Sequence, residues 1–366
     1  MEDDRKQVIT QLTQKIFALG HSVEVSPIIT KGPIVTVYHF KPIGKTKVSN
    51  LEQMAQDFAV TLAVEDVLVR RLPGQPFVGV YVPNKKRESV LWRDIIGNIG
   101  QEEKIPLLLG IDINGKSIVD DLAMLPHLLI AGSTGSGKST LLTAIIASLL
   151  YSRSEDDIQL VLNDTKGVEF GQFVGCPHLL FDEPSWNIYQ FMEQLDWLTE
   201  EMNKRLKKIG EHSCKNVIEY NSKADTKLSY IVLVIDELAD LLLDRRKSES
   251  EGRSPSLGKV VEAKLNLLVG RSRASGIHII ASTQRPSVKL IEGNIKANFP
   301  ARITFRLPNE ADSRTILGCK GAEHLLSQGD MLYLSPRHPA IIRIHAPYAP
   351  QIDISSCVEF SLQKRS

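Results

Sequence analysis

Cysteine is scarce: the chain of 366 residues has four, Cys176, Cys214, Cys319 and Cys357, all far apart. No C-x-x-C pair and no nearby paired His accompanies them, which excludes a zinc module and a disulfide framework. Four independent thiols fit a reducing compartment, so a cytoplasmic location is expected. An excess of one charge is also lacking. Lys+Arg total 44 against 43 for Asp+Glu, a formal net charge of +1. Such a chain has no global attraction for nucleic acid, so any surface of that kind must be a local basic cluster. Long hydrophobic runs are missing too. Leu122–Ala131 is interrupted and far below the ~20 residues needed to span a bilayer. The opening MEDDRKQVITQLTQ is too charged for a signal peptide. No membrane contact by the chain itself is expected, and no internal repeat is visible.

What is there suits a globular protein. Hydrophobic residues make up 42% of the chain, enough for a proper core, and the length allows two domains. Residues 1–95 read as a small α+β unit. Val8, Ile9, Leu12, Ile16 and Leu19 share one helical face, with Gly20 as a stop. Strands are expected at Ser22–Ile28 and Pro33–Phe40 across a Thr30–Gly32 turn. Ser49–Ala63 follows as an amphipathic helix capped by Ser49 or Asn50, with Leu51, Met54, Phe58 and Leu62 on its apolar face. A further strand pair is expected at Asp66–Arg71 and Phe77–Val82 across Pro73-Gly74.

Residues 96–366 read as an α/β domain. Short apolar strands at His127–Ala131, Ile158–Leu162, Tyr230–Ile235, Ile277–Ser282 and Ala301–Leu307 alternate with helical stretches. Strands apolar on both faces imply a parallel central sheet covered by helices. Met192–Ile209 reads as a long, charged, partly solvated helix. Arg245–Ser256 is polar with Gly and Pro, a surface loop.

Three strand tips carry chemistry. Gly132-Ser133-Thr134-Gly135-Ser136-Gly137-Lys138-Ser139 fills the G-x-x-x-x-G-K-[ST] pattern between a strand and a helix, with Thr140 next. Its glycines let bare backbone N–H groups and the helix N-terminus point at phosphates. Lys138 is expected to reach the β- and γ-phosphates of ATP, and Ser139 to offer a hydroxyl to Mg²⁺. The strand ending at Ile235 runs into Asp236-Glu237. Asp236 would hold Mg²⁺ through water and Glu237 would polarise the attacking water; acids are also welcome at any strand end that meets a helix N-terminus. The third tip, Thr283-Gln284-Arg285-Pro286, offers an amide able to sense the γ-phosphate, or simply makes a turn. Together the tips form a water-activating ATPase site.

The order and spacing of several segments resemble the FtsK/SpoIIIE translocases. These are Met124–Ser139, Asp236–Asp240, Arg273–His278, Thr283–Ser287, Asp312–Leu317 and Gly329–Leu332, within about residues 105–346. Gly32–Thr36 and Val82–Glu88 resemble the smaller α-domain of that family. The resemblance implies a RecA-like P-loop NTPase motor in a homo-oligomeric, hexameric ring that pumps double-stranded DNA with ATP. It carries Lys138 and Ser139 to phosphate and Mg²⁺, Asp236 and Glu237 to catalysis, and Gln284 to sensing. A ring also needs a cation acting across each subunit boundary. Arg273 is the first candidate and Arg302 and Arg314 follow, although each also suits an ordinary ion pair. Lys166, Lys289 and Lys296 are candidates for DNA contact through phosphate, or solvated loop lysines. A related reading is a ring ATPase of a secretion or conjugation apparatus moving protein or nucleoprotein cargo.

Some features depart from the family pattern. No membrane anchor is seen, and about twenty residues after Ala346 are too few for a winged-helix module. Asp164-Thr-Lys replaces the usual Asp-Pro-Lys, and the Lys247–Ser256 loop is long. The expectation is an excised motor or a short relative.

Overall fold

A computed structural model of the protein describes residues 2–72, 74–247, 255–285 and 297–363. The first helix, Glu2–Ala18, ends before Gly20. Strands β1 (Val23–Lys31), β2 (Val35–Pro42), β3 (Leu68–Arg71) and β4 (Val78–Pro83) form an antiparallel sheet in the order β1-β2-β4-β3. The expected Thr30–Gly32 turn lies later, because Thr30 and Lys31 still pair with Val37 and Thr36. Pro73, of the second expected turn, lies outside the described residues.

The expected Ser49–Ala63 helix is two helices, Val48–Gln53 and Ala55–Leu62. Met54 stands between them at φ −83, ψ 3. The break lets Leu51, Met54, Ala55 and Phe58 all enter one core. The cap is also corrected: Lys47 is the N-cap, and its N–H donates to Asn50 Oδ1 at 2.8 Å. Asn50 reaches back from inside the helix instead of preceding it.

Nine strands build the second sheet: β5 (Pro106–Asp112), β6 (Ser117–Asp121), β7 (His127–Ala131), β8 (Ile158–Asn163), β9 (Tyr230–Ile235), β10 (Ile277–Thr283), β11 (Ala301–Phe305), β12 (Asp330–Leu334) and β13 (Ile342–His345). Their order is β6-β5-β13-β12-β11-β7-β10-β9-β8. The block β11-β7-β10-β9-β8 is parallel, as the sequence predicts, and the other strands extend it antiparallel. Side-chain alternation divides the core. Leu128, Ile130, Val232 and Val234 pack with helix Lys138–Ser152 on one face. Leu129, Ala131, Ile231 and Leu233 pack with helices Ile188–Glu211 and Leu257–Arg271 on the other. This is why the parallel strands read as unbroken apolar runs.

The small sheet is likewise covered twice. Tyr38 and Phe40 of β2 join the core beneath its own helices. Val35 and Val37, on the opposite face, pack with Leu326 and Ile113 of the larger unit. Polar pairs close the seam: Asp66 with His324 at 3.1 Å and Glu65 with Arg306 at 2.7 Å. Among the described residues, no helix is long and apolar enough to cross a membrane.

Candidate nucleotide site

Parallel strands end with their C-terminal tips at one rim, which is where a doubly wound sheet gathers loops into a site. The loop after β7 is stitched to both neighbours. Gly132 N–H donates to Thr283 O of β10 at 3.2 Å, and Ser133 N–H donates to Arg306 O just past β11 at 3.0 Å. A Cβ at Gly132 would stand 2.7 Å from both the Phe305 Cβ and the Ser136 Oγ. Gly137 has φ +115 and opens helix Lys138–Ser152, with Gly329 N 2.8 Å from where its Cβ would be. Only glycine fits there. The loop therefore turns backbone, not side chains, toward the cleft at a helix N-terminus. Ser133, Thr134, Gly135, Lys138, Ser139 and Thr140 all line that cleft, which has a volume of about 580 Å³.

Lys138 is buried at 4% exposure, and so are Asp236 (4%) and Glu237 (3%) at the tip of β9. Burial pulls the Lys138 ammonium below its ordinary range, while the charges of Asp236 and Glu237 push back. Burial likewise pushes the Asp236 carboxyl up to about 6, opposed by Lys138 and assisted by Glu169 and Asp164. Asp236 Oδ1 is buried without a hydrogen-bond partner, as is Ser136 Oγ. A buried acceptor left unmatched is costly in a resting protein. It suits a group that receives a hydrated cation.

Glu237 is held by the neighbouring tip. Its Oε1 accepts from Thr283 Oγ1 at 2.8 Å, and its Oε2 accepts from Gln284 N–H at 3.0 Å. Gln284 Oε1 in turn accepts from Thr134 Oγ1 at 2.7 Å. Gln284 thus links the acid, through its backbone N–H, to the phosphate-loop residue, through its side-chain carbonyl. The tips of β7, β9 and β10, read separately in the sequence, meet here.

The tip of β8 adds Glu169, which motif reasoning missed, and gives Asp164 and Lys166 places at the site that it did not assign. Asp164 is fully buried and accepts N–H bonds from Gly167, Glu169 and Phe170 at 2.8–3.0 Å. It winds the following loop so that Glu169 faces the cleft. Lys166 Nζ lies 3.9 Å from Glu237 and 3.6 Å from Asp240, beside the acids. Arg87 and Glu88, at the end of the Val82–Glu88 segment, also line the cleft, as does Tyr348, which nothing local in the sequence marks. Among the described residues, no cluster of three His, Cys, Asp or Glu side chains is arranged to hold a metal ion. A cation here would depend on the Ser139 hydroxyl, the Asp236 carboxylate and ligand oxygens.

The arginines go elsewhere. Arg273 is exposed in the turn Ser272–Ser275 that precedes β10. It therefore sits at the opposite end of that strand from Gln284, roughly 20 Å away at ~3.3 Å per residue. It borders a separate cavity of about 430 Å³ with Lys215 and Arg271. The Arg302 guanidinium donates to Phe299 O at 2.8 Å and Ile316 O at 3.0 Å, bracing backbone. Arg314 pairs with Glu310 on its own helix at 2.6 Å. Lys289 and Lys296 lie outside the described residues, as do Pro286, Ser287 and positions 248–254 of the polar loop.

Known proteins resemble this arrangement along most of its length. The FtsK/SpoIIIE family model matches residues 100–288, and the FtsK alpha domain model matches residues 1–84. The chain is 38% identical over 367 residues to the DNA translocase FtsK of Borreliella burgdorferi, covering 98% of this chain and 45% of that protein. It is 37% identical over 378 residues to the DNA translocase FtsK of Campylobacter jejuni, covering 100% of this chain and 38% of that one. The chain thus spans less than half the length of these curated relatives. In fold it is similar to the pCW3 conjugation coupling protein TcpA, whose monomer form was solved with ATPγS. The TM-score is 0.67 at 24% identity, over 98% of this chain and 100% of that one. The cytoplasmic domain of the Thermomonospora curvata Type VII secretion ATPase EccC follows with a TM-score of 0.59 at 21% identity, over 72% and 32%.

Proposed function

The chain belongs to the FtsK/SpoIIIE family, and from that premise we propose that it is a cytoplasmic ATPase motor that moves double-stranded DNA through a hexameric ring of its own copies. The observation that carries this reading is the hydrogen-bonded path from Glu237 through Gln284 to Thr134 at the mouth of the phosphate loop. A nucleotide-binding loop alone needs no such path; a site that hydrolyses and reports does.

In the proposed reaction ATP and water become ADP and phosphate. Backbone N–H groups of the loop beyond Ser136 and the Lys138 ammonium hold the phosphates, with Thr140 at the α-phosphate side. Glu237 takes a proton from the attacking water through its carboxylate. Gln284 donates its N–H to Glu237 and accepts from Thr134, so a contact from its side-chain NH2 to the γ-phosphate, lost when that phosphate leaves, would be felt by both neighbours. Ser139 and Asp236 would hold Mg²⁺, which would supply charge neutralisation on the phosphate oxygens. The unmatched Asp236 Oδ1 supports that assignment.

Arg273 cannot reach its own phosphate loop from the far end of β10. Its exposure supports a role on the site of an adjoining subunit. Lys289 and Lys296 remain our candidates for DNA contact. For Lys166 the DNA reading now competes with a role beside Glu237 and Asp240. We treat residues 1–95 and 96–366 as two domains, supported by the core that the first helices share with the small sheet, while Val90, Trp92 and Ile95 pack into the core of the larger unit.

The test is displacement of a triplex strand from linear duplex DNA. ATP-dependent displacement that Lys138→Ala abolishes, together with all ATP turnover, is the expected result. ATP turnover without displacement, indifferent to duplex DNA at low salt, would favour a protein-moving ring instead. The likeness in fold to a coupling protein and a secretion ATPase gives that second reading its place.

A further inference from the structure

We propose that the seam between residues 87–90 and Tyr348 is a base subsite, on which Tyr348 stacks the planar base of a nucleoside triphosphate. The proposal rests on reading the Gly132–Thr140 loop as a triphosphate grip. The cleft of about 580 Å³ is of the size that encloses a whole small ligand. On that reading its phosphate end is at Lys138 and the helix N-terminus. Residues 87–90 and Tyr348 also line the cleft.

Tyr348 is 52% exposed, yet its backbone is pinned. Its N–H donates to Val90 O at 2.8 Å, and its carbonyl accepts from Trp92 N–H at 2.9 Å. Trp92 is buried, and its Nε1 donates to Ser148 Oγ at 2.8 Å. Ser148 lies on helix Lys138–Ser152. The aromatic platform is therefore tied, through Trp92, to the helix that the phosphate grip opens. A large ring held exposed at a cleft wall, at low entropy cost, suits stacking on a flat partner.

The opposite edge of the wall is tied down as well. Arg87 pairs with Glu65 at 3.3 Å, and Glu65 also pairs with Arg306 at 2.7 Å. The Arg306 carbonyl receives the Ser133 N–H. A base placed between Arg87 and Tyr348 touches the part of the chain that leads to the small sheet. Nucleotide occupancy is thereby felt at the seam between the two units.

The experiment is calorimetric titration of the full chain with Mg·ATP and, separately, with inorganic triphosphate and Mg²⁺. Tyr348→Ala should weaken ATP about tenfold while inorganic triphosphate binds as in the unaltered protein. Tyr348→Phe, which keeps the ring, should retain ATP affinity. Unchanged triphosphate binding certifies the fold of each variant. An unchanged ratio of the two affinities in Tyr348→Ala, or an equal loss of both, would overturn the subsite. The grip itself is judged by Lys138→Ala, which should lose both ligands; if it keeps both, the phosphate-loop premise fails and the stacking proposal is not what failed.

Discussion

Glu237 and Asp236 are adjacent, both are buried, and yet they are prepared for different work. Glu237 accepts from Thr283 and Gln284 through both carboxylate oxygens, so an amide in its place keeps the shape and one acceptor, turns a donating NH2 to the other partner, and loses the proton acceptor. Glu237→Gln should bind ATP normally and hydrolyse it roughly 10²–10⁴ times more slowly, read by single-turnover hydrolysis beside a binding titration. Normal turnover would remove Glu237 from the reaction. Asp236 carries the opposite strain. Burial raises its folded-state pKa to about 6 from 3.8, so the folded chain holds that proton more tightly than the unfolded one. Stability is therefore complete below about pH 4, falls as pH rises toward 6, and stays lower above it. The deficit at neutral pH is of order 3 kcal/mol. Asp236→Asn without nucleotide should melt a few degrees higher than the unaltered protein at pH 7.5, and at the same temperature near pH 4. A melting difference independent of pH would refute this account.

At the scale of elements, the antiparallel extension of the sheet deserves as much weight as its parallel centre. β5 and β13 pair through Ile111–His345 and Asp112–Ile344. Next to that pairing Gly110 has φ +126, and a Cβ there would run into His345 O. The register of β5 against β6 also shifts at this point. Backbone strain of this kind costs ~1–3 kcal/mol before any clash is counted. Gly110→Ala should lower Tm by several degrees. Gly97→Ala, whose Cβ meets nothing within 4 Å, should leave it nearly unchanged. Equal melting of the two variants would mean that the β5–β13 contact adds little. His345 lines the nucleotide cleft, so this edge of the sheet shapes the site as well as the core.

For the whole molecule, the position of Arg273 matters most. It stands on the far rim of the sheet from its own phosphate loop, so any action on ATP requires a second copy. Arg273→Ala should keep nucleotide binding and lose turnover, as should a separate population carrying Lys138→Ala lose it. Mixing the two should restore part of the activity, because an intact Lys138 then meets an intact Arg273 across some boundaries. The readout is ATP turnover against mixing ratio, and a flat line at zero argues for action within one chain. The small sheet enters at this scale as well. Its β2 face is buried by Leu326 and Ile113, and Arg87 and Glu88 border the cleft.

The phosphate loop, the acids after Ile235 and the parallel strands were legible in the sequence because each is a local pattern. A glycine spacing, a strand-end charge and an unbroken apolar run depend only on near neighbours in the chain. The same holds for the first helix and its stop at Gly20. The break at Met54 escaped, because a buried turn between two helices obeys the core they share and not their periodicity. The strands β5, β6, β12 and β13 escaped too: they form two local hairpins whose place in the sheet is settled by the pairing of β5 with β13, segments more than two hundred residues apart. Tertiary structure alone brought Thr134 to Gln284, turned Glu169 into the cleft and set Tyr348 at its wall. Those contacts join residues that share no local signal, so only the closed chain, with its burial and its hydrogen bonds complete, could select them.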